Sequence, residues 1–437
     1  MKKVVSKILK FFAKVAVDRH DPIVIGITGS VGKSGTRHAI AFLLSKRFRV
    51  SKIIKNYNNE IGYPLSILGI ESSGKNIFGW IKILLKGFWI AFFGRNFPEV
   101  LVLELGAGKP GDIEYLASTT PFDIIVLTAI GPTHLEFFGS IKKIVKEKST
   151  ILKYLKKGGR VVYNYDDEEI KDIFNGQRTD KISFGFQKGA DVQIVSGEEP
   201  LLRFDDHGDF CESSFKIETQ GTFMPVKLKY ISSKAQIYGV LTAFAVGNIF
   251  NMNLIDIAER MKELKPLPGR AQLLAGVKRT TIIDDSYNAS PVSVLSALET
   301  LEKFQNRRKI AVLGDMLELG SFTEEGHRKI GEKAGKIADL LFLVGDKIVF
   351  TEEAAKKAGM KDDQIFRFAN ADEATSLRSC GSYGVAREVE KSMREGDVVL
   401  VKGSQGMRME KVVEEIMAEP QKAGELLVRQ ERSWKNS

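Results

Sequence analysis

Short apolar runs alternate with amphipathic stretches along the first part of the chain. The run at residues 23–28 (IVIGIT) ends in a glycine-rich turn, and the following RHAIAFLLSKRF has the spacing of a helix. Comparable runs recur at residues 100–105, 123–130 and 160–165, with helical stretches between them. Apolar runs that alternate with helices are typical of a parallel sheet covered on both faces, so the sequence predicts an α/β domain.

The pattern changes after residue 180 and later restarts. Short alternating segments within residues 180–230 predict antiparallel strands beside the main sheet, and a helical stretch follows from about residue 235 to 264. The segment KPLPGR, residues 265–270, carries two prolines and a glycine and is the best linker candidate in the chain. Beyond it, four apolar runs predict a smaller, doubly wound domain of the Rossmann type: TTIIDDS, KIAVLGD, LLFLVGD and DVVLVKGS.

With 437 residues the chain is too long for one ordinary hydrophobic core. We therefore expect several segments. They are a basic amphipathic helix at 1–22, a central domain at 23–264 with an apolar insertion at 70–98, a second domain at 265–420, and a polar tail at 421–437 that frays.

Two apolar segments fit more than one interpretation. In the first helix one face carries Val5, Ile8, Phe12 and Val15, and another carries Lys3, Lys7, Lys10 and Lys14. This pattern fits equally a helix on a membrane surface and a helix docked on its own domain, and it lacks the cleavage site of a secretion signal. Residues 77–93 are too short and too interrupted by lysines for a membrane span. An interfacial helix, a partner-binding face and ordinary packing remain open for them, with packing favoured.

The composition of the chain limits the classes of molecule that it is expected to bind. The net charge of +10 suits anionic small molecules, a membrane surface or nucleic acid. No stacking platform or motor motif accompanies the basic residues, so we expect no nucleic acid partner. Cys211 and Cys380 lie far apart without metal-ligand spacing, which argues against a disulfide framework and a zinc cluster. A reducing cytoplasm is the expected compartment, and a monomer is the expected state.

The sharpest motif is GITGSVGKSGT at residues 26–36. Gly29 and Gly32 allow backbone N–H groups to approach phosphate oxygens, Lys33 supplies a cation, and Ser34 offers a hydroxyl to magnesium. A strand before the loop and a helix after it favour nucleotide binding over a plain glycine turn. The common spacing of such loops places glycine where this chain has Ile27.

The version TGxxGK[ST], here Thr28 to Ser34, resembles the phosphate loop of Mur ligases and of their folylpolyglutamate synthase relatives. Further segments continue this resemblance in order and are most similar to the D-alanyl-D-alanine-adding branch of the family. They are NNEIGYPLSIL (58–68), LELGAGKPGDIEYL (103–116), IGPTHLEFFGS (130–140), DDSYNASP (284–291), LGDMLELG (313–320) and VKGSQGMRME (401–410).

The resemblance implies a site for ATP and Mg²⁺. Catalytic residues would be Lys33, His134 and Lys148. Nucleotide contacts would come from Thr28, Gly29, Ser30, Gly32, Lys33, Ser34, Arg270, Asp285 and Asn288. Magnesium would be held by Ser34, Glu104, His134 and Lys148, the last as an N-carboxylated side chain. Without the resemblance, Glu104 fits a salt bridge, His134 a loop cap and Lys148 a solvated helix face.

The implied reaction joins the amine of D-alanyl-D-alanine to the carboxylate of a UDP-N-acetylmuramoyl tripeptide through an acyl phosphate, in peptidoglycan precursor synthesis. The chain departs from the family in three places. We expect no uridine-nucleotide-binding domain ahead of the loop, Ala235 and Gly239 stand where the family carries His and Asn, and Ser290 replaces an Asn.

Two alternatives stay open at the level of the sequence. One is a related ligase that uses a different carboxylate, as folylpolyglutamate synthases do. The other is a non-catalytic ATP-binding scaffold at the membrane, contacting it through residues 1–20 and 77–93. Amide formation distinguishes the ligases from the scaffold, because the scaffold binds ATP without forming product.

Overall fold

Two α/β sheets, each with helices on both faces, organise the molecule. The computed structural model describes residues 2–52, 59–74, 76–174, 179–195, 197, 199–205, 208–369, 384–431 and 434. Asn58, Cys380 and the side chain of Lys3, which the sequence patterns include, lie outside the described residues. The α/β architecture with parallel sheets, predicted from the apolar runs, is confirmed.

The first sheet has nine strands in the described residues, in the order β2-β1-β3-β4-β5-β6-β8-β7, with β9 paired to β8. The neighbours from β2 to β6 pair in parallel, and β6, β7 and β9 pair with β8 in antiparallel fashion, as the alternating segments predicted. The strands are β1 Ile23–Thr28, β2 Val100–Glu104, β3 Phe122–Leu127, β4 Leu155–Asn164, β5 Lys181–Gly185, β6 Val192–Ile194, β7 Leu201–Phe204, β8 Phe210–Thr219 and β9 Thr222–Leu228.

Helices cover this sheet on both faces and bury a core on each. Their bounds are α1 Lys2–His20, α2 Lys33–Leu44, α3 Gly62–Leu68, α4 Ile77–Phe92, α5 Asp112–Ala117, α6 Leu135–Phe138, α7 Ile141–Ser149, α8 Glu168–Phe174, α9 Lys234–Ile249 and α10 Leu254–Lys262. The prediction of one continuous helical stretch from 235 to 264 is wrong about its continuity. The stretch is two helices, and Asn253 caps the second by accepting a hydrogen bond from the backbone N–H of Ile255.

The second sheet has six strands in the described residues, in the order β10-β11-β15-β12-β13-β14. All neighbours are parallel except β10 and β11. The strands are β10 Gln272–Gly276, β11 Thr280–Asp285, β12 Lys309–Gly314, β13 Leu340–Val344, β14 Ile365–Phe368 and β15 Val398–Lys402. The helices are α11 Pro291–Glu302, α12 Thr323–Ile337, α13 Val349–Lys357, α14 Val385–Ser392, α15 Glu410–Ile416 and α16 Ala423–Leu426. The edge strands β10 and β14 were not predicted, since each is short and lacks a continuous apolar run.

The prediction that the tail frays is wrong for its described part. Helix α16 follows residue 422, and Leu427 and Arg429 are buried. Arg429 Nη2 lies 2.6 Å from Glu410 Oε2 and also donates to the carbonyl of Ser286 at 2.8 Å. A buried charge that is paired in this way ties the end of the chain to the second sheet.

The two apolar segments of uncertain role are helices that pack on each other. Helix α1 buries Leu9, Ala13 and Ala16 in the core beneath the first sheet, so it is docked on its own domain. Helix α4 is capped by Asn76 and buries Ile83, Gly87 and Ala91, which is the packing favoured from the sequence. No helix among the described residues is long and apolar enough to cross a membrane.

Candidate active site

The glycine-rich loop lies between β1 and α2 at the carboxyl edge of the first sheet. Gly29 and Gly32 have φ values of 151° and 89°, which favour glycine, and a Cβ on Gly29 would collide with the Thr128 hydroxyl and the Ala129 carbonyl. The backbone N–H of Ser30 donates to the Ala129 carbonyl at 2.6 Å. These contacts hold the loop against the end of β3, where the first N–H groups of α2 have no acceptor within the helix.

Lys33 and Ser34 begin α2. The Nζ of Lys33 donates to the carbonyls of Gly29 and Ser30, at 2.8 and 3.2 Å, so the ammonium group is held within the loop. Burial lowers the pKa of Lys33, and the carboxylate of Glu104 opposes that shift. The Ser34 hydroxyl donates to Glu104 Oε2 at 2.9 Å, which places a hydroxyl and a carboxylate oxygen side by side.

One residue predicted to bind nucleotide points elsewhere. Thr28 is fully buried, and its hydroxyl donates to the carbonyl of Leu105 at 3.1 Å inside the sheet. Its side chain therefore joins the ends of β1 and β2. Thr28 contributes to the position of the loop, while its hydroxyl is already engaged.

A cavity of about 570 Å³ opens beside the loop. From the predicted residues it is lined by Gly29, Ser30, Lys33, His134 and Lys148. The rest of the lining was not predicted and includes Asn59, Glu60, Lys109, Asp112 and Tyr115. These residues fall within the segments 58–68 and 103–116. The family motifs therefore indicated this part of the lining, although the sequence alone singled out none of these residues.

Lys148 is buried at the end of α7, with 3% of its surface exposed. Burial and the nearby charge of Lys33 lower its pKa to about 7, against the opposing carboxylates of Glu147 and Glu104. No described residue accepts a hydrogen bond from its Nζ. The neighbouring Glu147 is turned away and accepts from the backbone N–H groups of Gly111 and Ile113. Lys148 is thus a buried amine that is partly neutral near pH 7.

His134 contacts the second domain. It precedes α6 with φ of 55°, and its Nδ1 lies 2.6 Å from Glu318 Oε2 in the loop after β12 of the second sheet. Burial lowers the pKa of His134 and the Glu318 carboxylate opposes the shift. Glu318 belongs to the segment LGDMLELG (313–320) of the family resemblance, and it reaches the cavity wall through its contact with His134.

The other predicted residues of the second domain divide into two groups. Arg270 Nη2 donates to the Ser34 hydroxyl at 3.3 Å, so Arg270 reaches the phosphate loop. Asp285 and Asn288 remain within their own domain: Asp285 Oδ2 lies 2.6 Å from Lys402 Nζ, and Asn288 Oδ1 accepts from the backbone N–H of Gln405. Neither is among the residues that line the cavity.

The donors at the loop suit a hard divalent cation in part. The Ser34 hydroxyl and the Glu104 carboxylate are oxygen donors, which Mg²⁺ prefers. The described residues bring no three His, Cys, Asp or Glu side chains within reach of one ion. An ion here would therefore need further oxygens from bound phosphate, from water or from a modified Lys148.

The fold and this site together define a Mur-type amide-forming ligase. The profile of the Mur ligase middle domain matches residues 89–247, and that of the Mur ligase glutamate ligase domain matches residues 269–405. The UDP-N-acetylmuramoyl-tripeptide--D-alanyl-D-alanine ligase of Bacillus subtilis is 30% identical over 415 residues, which are 94% of this chain and 79% of that protein. The corresponding Escherichia coli ligase is 25% identical, over 89% of this chain and 76% of that protein.

Among solved structures, the MurF ligase of Thermotoga maritima in complex with ADP matches with a TM-score of 0.75 and 26% identity, over 95% of this chain and 84% of that one. The chain belongs to the Mur ligase family, in the group of the UDP-N-acetylmuramoyl-tripeptide--D-alanyl-D-alanine ligases. It is an ATP-dependent ligase, and the family resemblance seen in the sequence motifs is confirmed.

Proposed function

We propose that the chain joins D-alanyl-D-alanine to a UDP-N-acetylmuramoyl-tripeptide carboxylate, with conversion of ATP to ADP and phosphate. The observation that carries this proposal is the cavity of about 570 Å³ in which Lys33, His134 and Lys148 meet. The names of the similar ligases support the choice of both substrates.

The phosphate loop would bind ATP. The N–H groups at the start of α2 and the Lys33 ammonium would contact the terminal phosphates, which requires Lys33 to exchange the carbonyls of Gly29 and Ser30 for phosphate oxygens. Arg270, 3.3 Å from Ser34, would add positive charge from the second domain. Asp285 and Asn288 would need to leave their present partners to reach the nucleotide, so their contact with ATP depends on domain movement.

We propose that Ser34, Glu104, His134 and an N-carboxylated Lys148 hold Mg²⁺. When bound, the ion would neutralise charge on the phosphates of ATP. Carboxylation suits Lys148 because the reaction with carbon dioxide requires a neutral amine, and its pKa of about 7 supplies one. The product is an anion, which relieves the repulsion between Lys148 and Lys33.

The chemistry then follows in two steps. An oxygen of the acceptor carboxylate bonds to the γ-phosphorus as the bond to ADP breaks, giving an acyl phosphate. The D-alanyl-D-alanine nitrogen attacks the acyl carbon, loses a proton, and phosphate leaves. His134 lies on the cavity wall with its Nδ1 on Glu318, so its role in catalysis would be to help hold the magnesium ion through the other ring nitrogen. Contact between Glu318 and His134 joins the second domain to one wall of the cavity. Closure of that domain over the bound substrates would limit hydrolysis of the acyl phosphate.

We further propose that the chain acts as a monomer in the cytoplasm on small-molecule substrates, with residues 1–20 and 77–93 on its membrane side. Its domains would be those predicted from the sequence: a helix at 1–22, a central ATP-binding domain at 23–264 with its insertion at 70–98, a second domain at 265–420 and a C-terminal segment at 421–437. The proposed division at residue 265 is supported by the position of the two sheets on either side of it.

The test is a ligation assay with ATP, Mg²⁺, D-alanyl-D-alanine and UDP-N-acetylmuramoyl tripeptide, followed by phosphate release and product mass. We expect a product that requires both substrates, and a loss of about 10³-fold in rate for Lys33→Ala. Lys188→Ala, which removes an exposed lysine outside the loop and outside the cavity lining, is the matched control. ATP hydrolysis only with another carboxylate would favour the related-ligase alternative, and ATP binding without any product would favour the scaffold.

A further inference from the structure

Helices α1 and α4 expose a continuous apolar face, which we call the α1–α4 face. On α1 it carries Val4 and Phe11, with 60% and 55% of their surface exposed. The remaining members lie on or directly after α4 and are 39% to 78% exposed: Ile77, Phe78, Ile81, Leu85, Phe88, Trp89, Phe92 and Phe93. Most of the large exposed apolar side chains of the described residues belong to this face, which marks it as an interaction surface.

The two helices form one surface because aromatic rings join them. The Phe12 ring lies 6.0 Å from that of Phe88 and 6.5 Å from that of Phe92, and Phe12 packs over Gly87. Packing of α4 on the protein uses its inner face, centred on Ile83 and Gly87. The apolar side chains on the outer face of α4 therefore do not contribute to packing of the helix on the protein.

Basic side chains border the α1–α4 face on both sides. With about 100° of rotation per residue, the apolar arc of α4 spans about 120° from Ile77 to Trp89, and Lys82 and Lys86 follow at about 140° and 180°. On α1, Lys7 and Lys14 are exposed, and they lie about 140° and 160° around the helix from Phe12, which contacts α4. Helix α4 contains no acidic residue, and the one acidic residue of α1, Asp18, lies near its end.

We propose that the α1–α4 face is a docking surface for an anionic phospholipid bilayer, with α4 lying in the plane of the interface. An apolar arc rich in Phe and Trp, bordered by lysines, matches the layers of acyl chains and anionic headgroups. The 16 residues of α4 give a length of about 24 Å, which is too short to cross the hydrocarbon core. The proposal is independent of the substrates of the ligase.

A second copy of the chain suits this face less well. A two-fold interface would set the same surface against itself and would bring the lysine borders of both copies together. Like charges at the rim of an interface oppose association, whereas an anionic bilayer neutralises them.

Docking would place the ligase cavity next to the membrane. The Ser6 hydroxyl on α1 donates to the Glu60 carbonyl at 3.0 Å and lies 2.7 Å from the Tyr115 hydroxyl. Lys10 donates to the Tyr115 carbonyl at 2.8 Å. Glu60 and Tyr115 both line the cavity, so α1 separates the cavity from the α1–α4 face by about one helix diameter, about 10 Å.

The test is co-sedimentation of the full chain with vesicles of phosphatidylcholine alone or mixed with phosphatidylglycerol, without ATP or substrates. We expect binding to the mixed vesicles that weakens as salt is added, and little binding to phosphatidylcholine alone. Lys82→Ala/Lys86→Ala should weaken binding by about 25-fold, at about fivefold for each lysine. Phe78→Ser/Trp89→Ser should abolish it, and thermal unfolding checks that the variant is folded.

Phe93 and Phe223 provide a matched pair, since both are 58% exposed and only Phe93 belongs to the α1–α4 face. Phe93→Ser should weaken vesicle binding, whereas Phe223→Ser should not. Equal effects of the two, or no binding to anionic vesicles, would overturn the proposal.

A dimer that the Phe78→Ser/Trp89→Ser variant abolishes, without vesicle binding, would assign the face to a second copy. Ligation of soluble substrates is measured separately, so a failure of the ligase assignment leaves the vesicle result interpretable.

Discussion

Lys148 and Lys402 are both buried, with 3% and 2% of their surface exposed, yet their surroundings differ. Lys402 Nζ lies 2.6 Å from Asp285 Oδ2 and donates to the Asn288 carbonyl at 2.8 Å. No described residue accepts a hydrogen bond from Lys148 Nζ. Burial lowers the pKa of both amines, but Asp285 opposes the shift of Lys402, whereas Lys33 adds to that of Lys148 and the pKa falls to about 7.

The difference separates two uses of a buried lysine. A paired ammonium group contributes to the fold, because its partner compensates the cost of removing the charge from water. An unpaired amine costs stability and remains reactive, which favours chemistry at that position. Lys402 joins the ends of β11 and β15, and Lys148 faces the cavity.

The largest expected effect is on catalysis. Lys148→Ala should lower the rate of amide formation by about 10³-fold, about 4 kcal/mol of transition-state stabilisation, because it removes the anion that a carboxylated lysine would supply. Added acetate or formate should restore part of the rate by filling the vacated space with a carboxylate. Lys146→Ala, an exposed lysine of the same helix, is the control. Phosphate release at the wild-type rate from Lys148→Ala would contradict the assignment.

The next effect concerns stability at Lys402. Lys402→Met should lower the free energy of unfolding by about 3–5 kcal/mol, because it leaves the Asp285 carboxylate without its cation. Lys402→Met/Asp285→Asn should recover much of that loss, since the amide oxygen can still accept from the backbone N–H of Ala271. Urea unfolding of both variants measures the difference. If the double variant were no more stable than the single one, the pair would not be the reason for the loss.

The third effect depends on pH and becomes the smallest of the three near pH 10. Since the pKa of Lys148 is about 7 in the folded state and about 10.4 in the unfolded state, the unfolded state binds more protons between these values. The cost of burying the amine is full below pH 7 and declines as the pH rises towards 10. In buffer free of carbon dioxide, Lys148→Met should therefore raise the free energy of unfolding by about 4 kcal/mol more at pH 6 than at pH 10. Lys402→Met should destabilise at both, and a stabilisation by Lys148→Met that is constant with pH would refute the argument.

The phosphate loop could be predicted from the sequence because its function is local. Gly29, Lys33 and Ser34 lie within one turn between a strand and a helix, and their backbone positions follow from that turn alone. Most of the strands could be predicted for the same reason, since each central strand is a continuous apolar run.

What escaped prediction depends on contacts between distant segments. Glu318 meets His134 only because the two sheets pack together, and no local pattern encodes that approach. The cavity lining includes Tyr115, which Ser6 of α1 contacts from more than 100 positions earlier in the chain. The tail has a polar sequence, but an ion pair between Arg429 and Glu410 and burial of Leu427 hold it against the second sheet.

The hydrogen bonds from Ser6 and Lys10 to the cavity wall have a practical consequence for anyone who shortens this protein. An apolar, basic N-terminal helix is an obvious segment to delete when a chain is difficult to purify. Deletion here would also remove the groups that support Tyr115 and Glu60 from behind. Loss of activity in a truncated enzyme would then result from damage to the substrate cavity and would not test membrane binding. Point substitutions on the outer surface are therefore the better experiment.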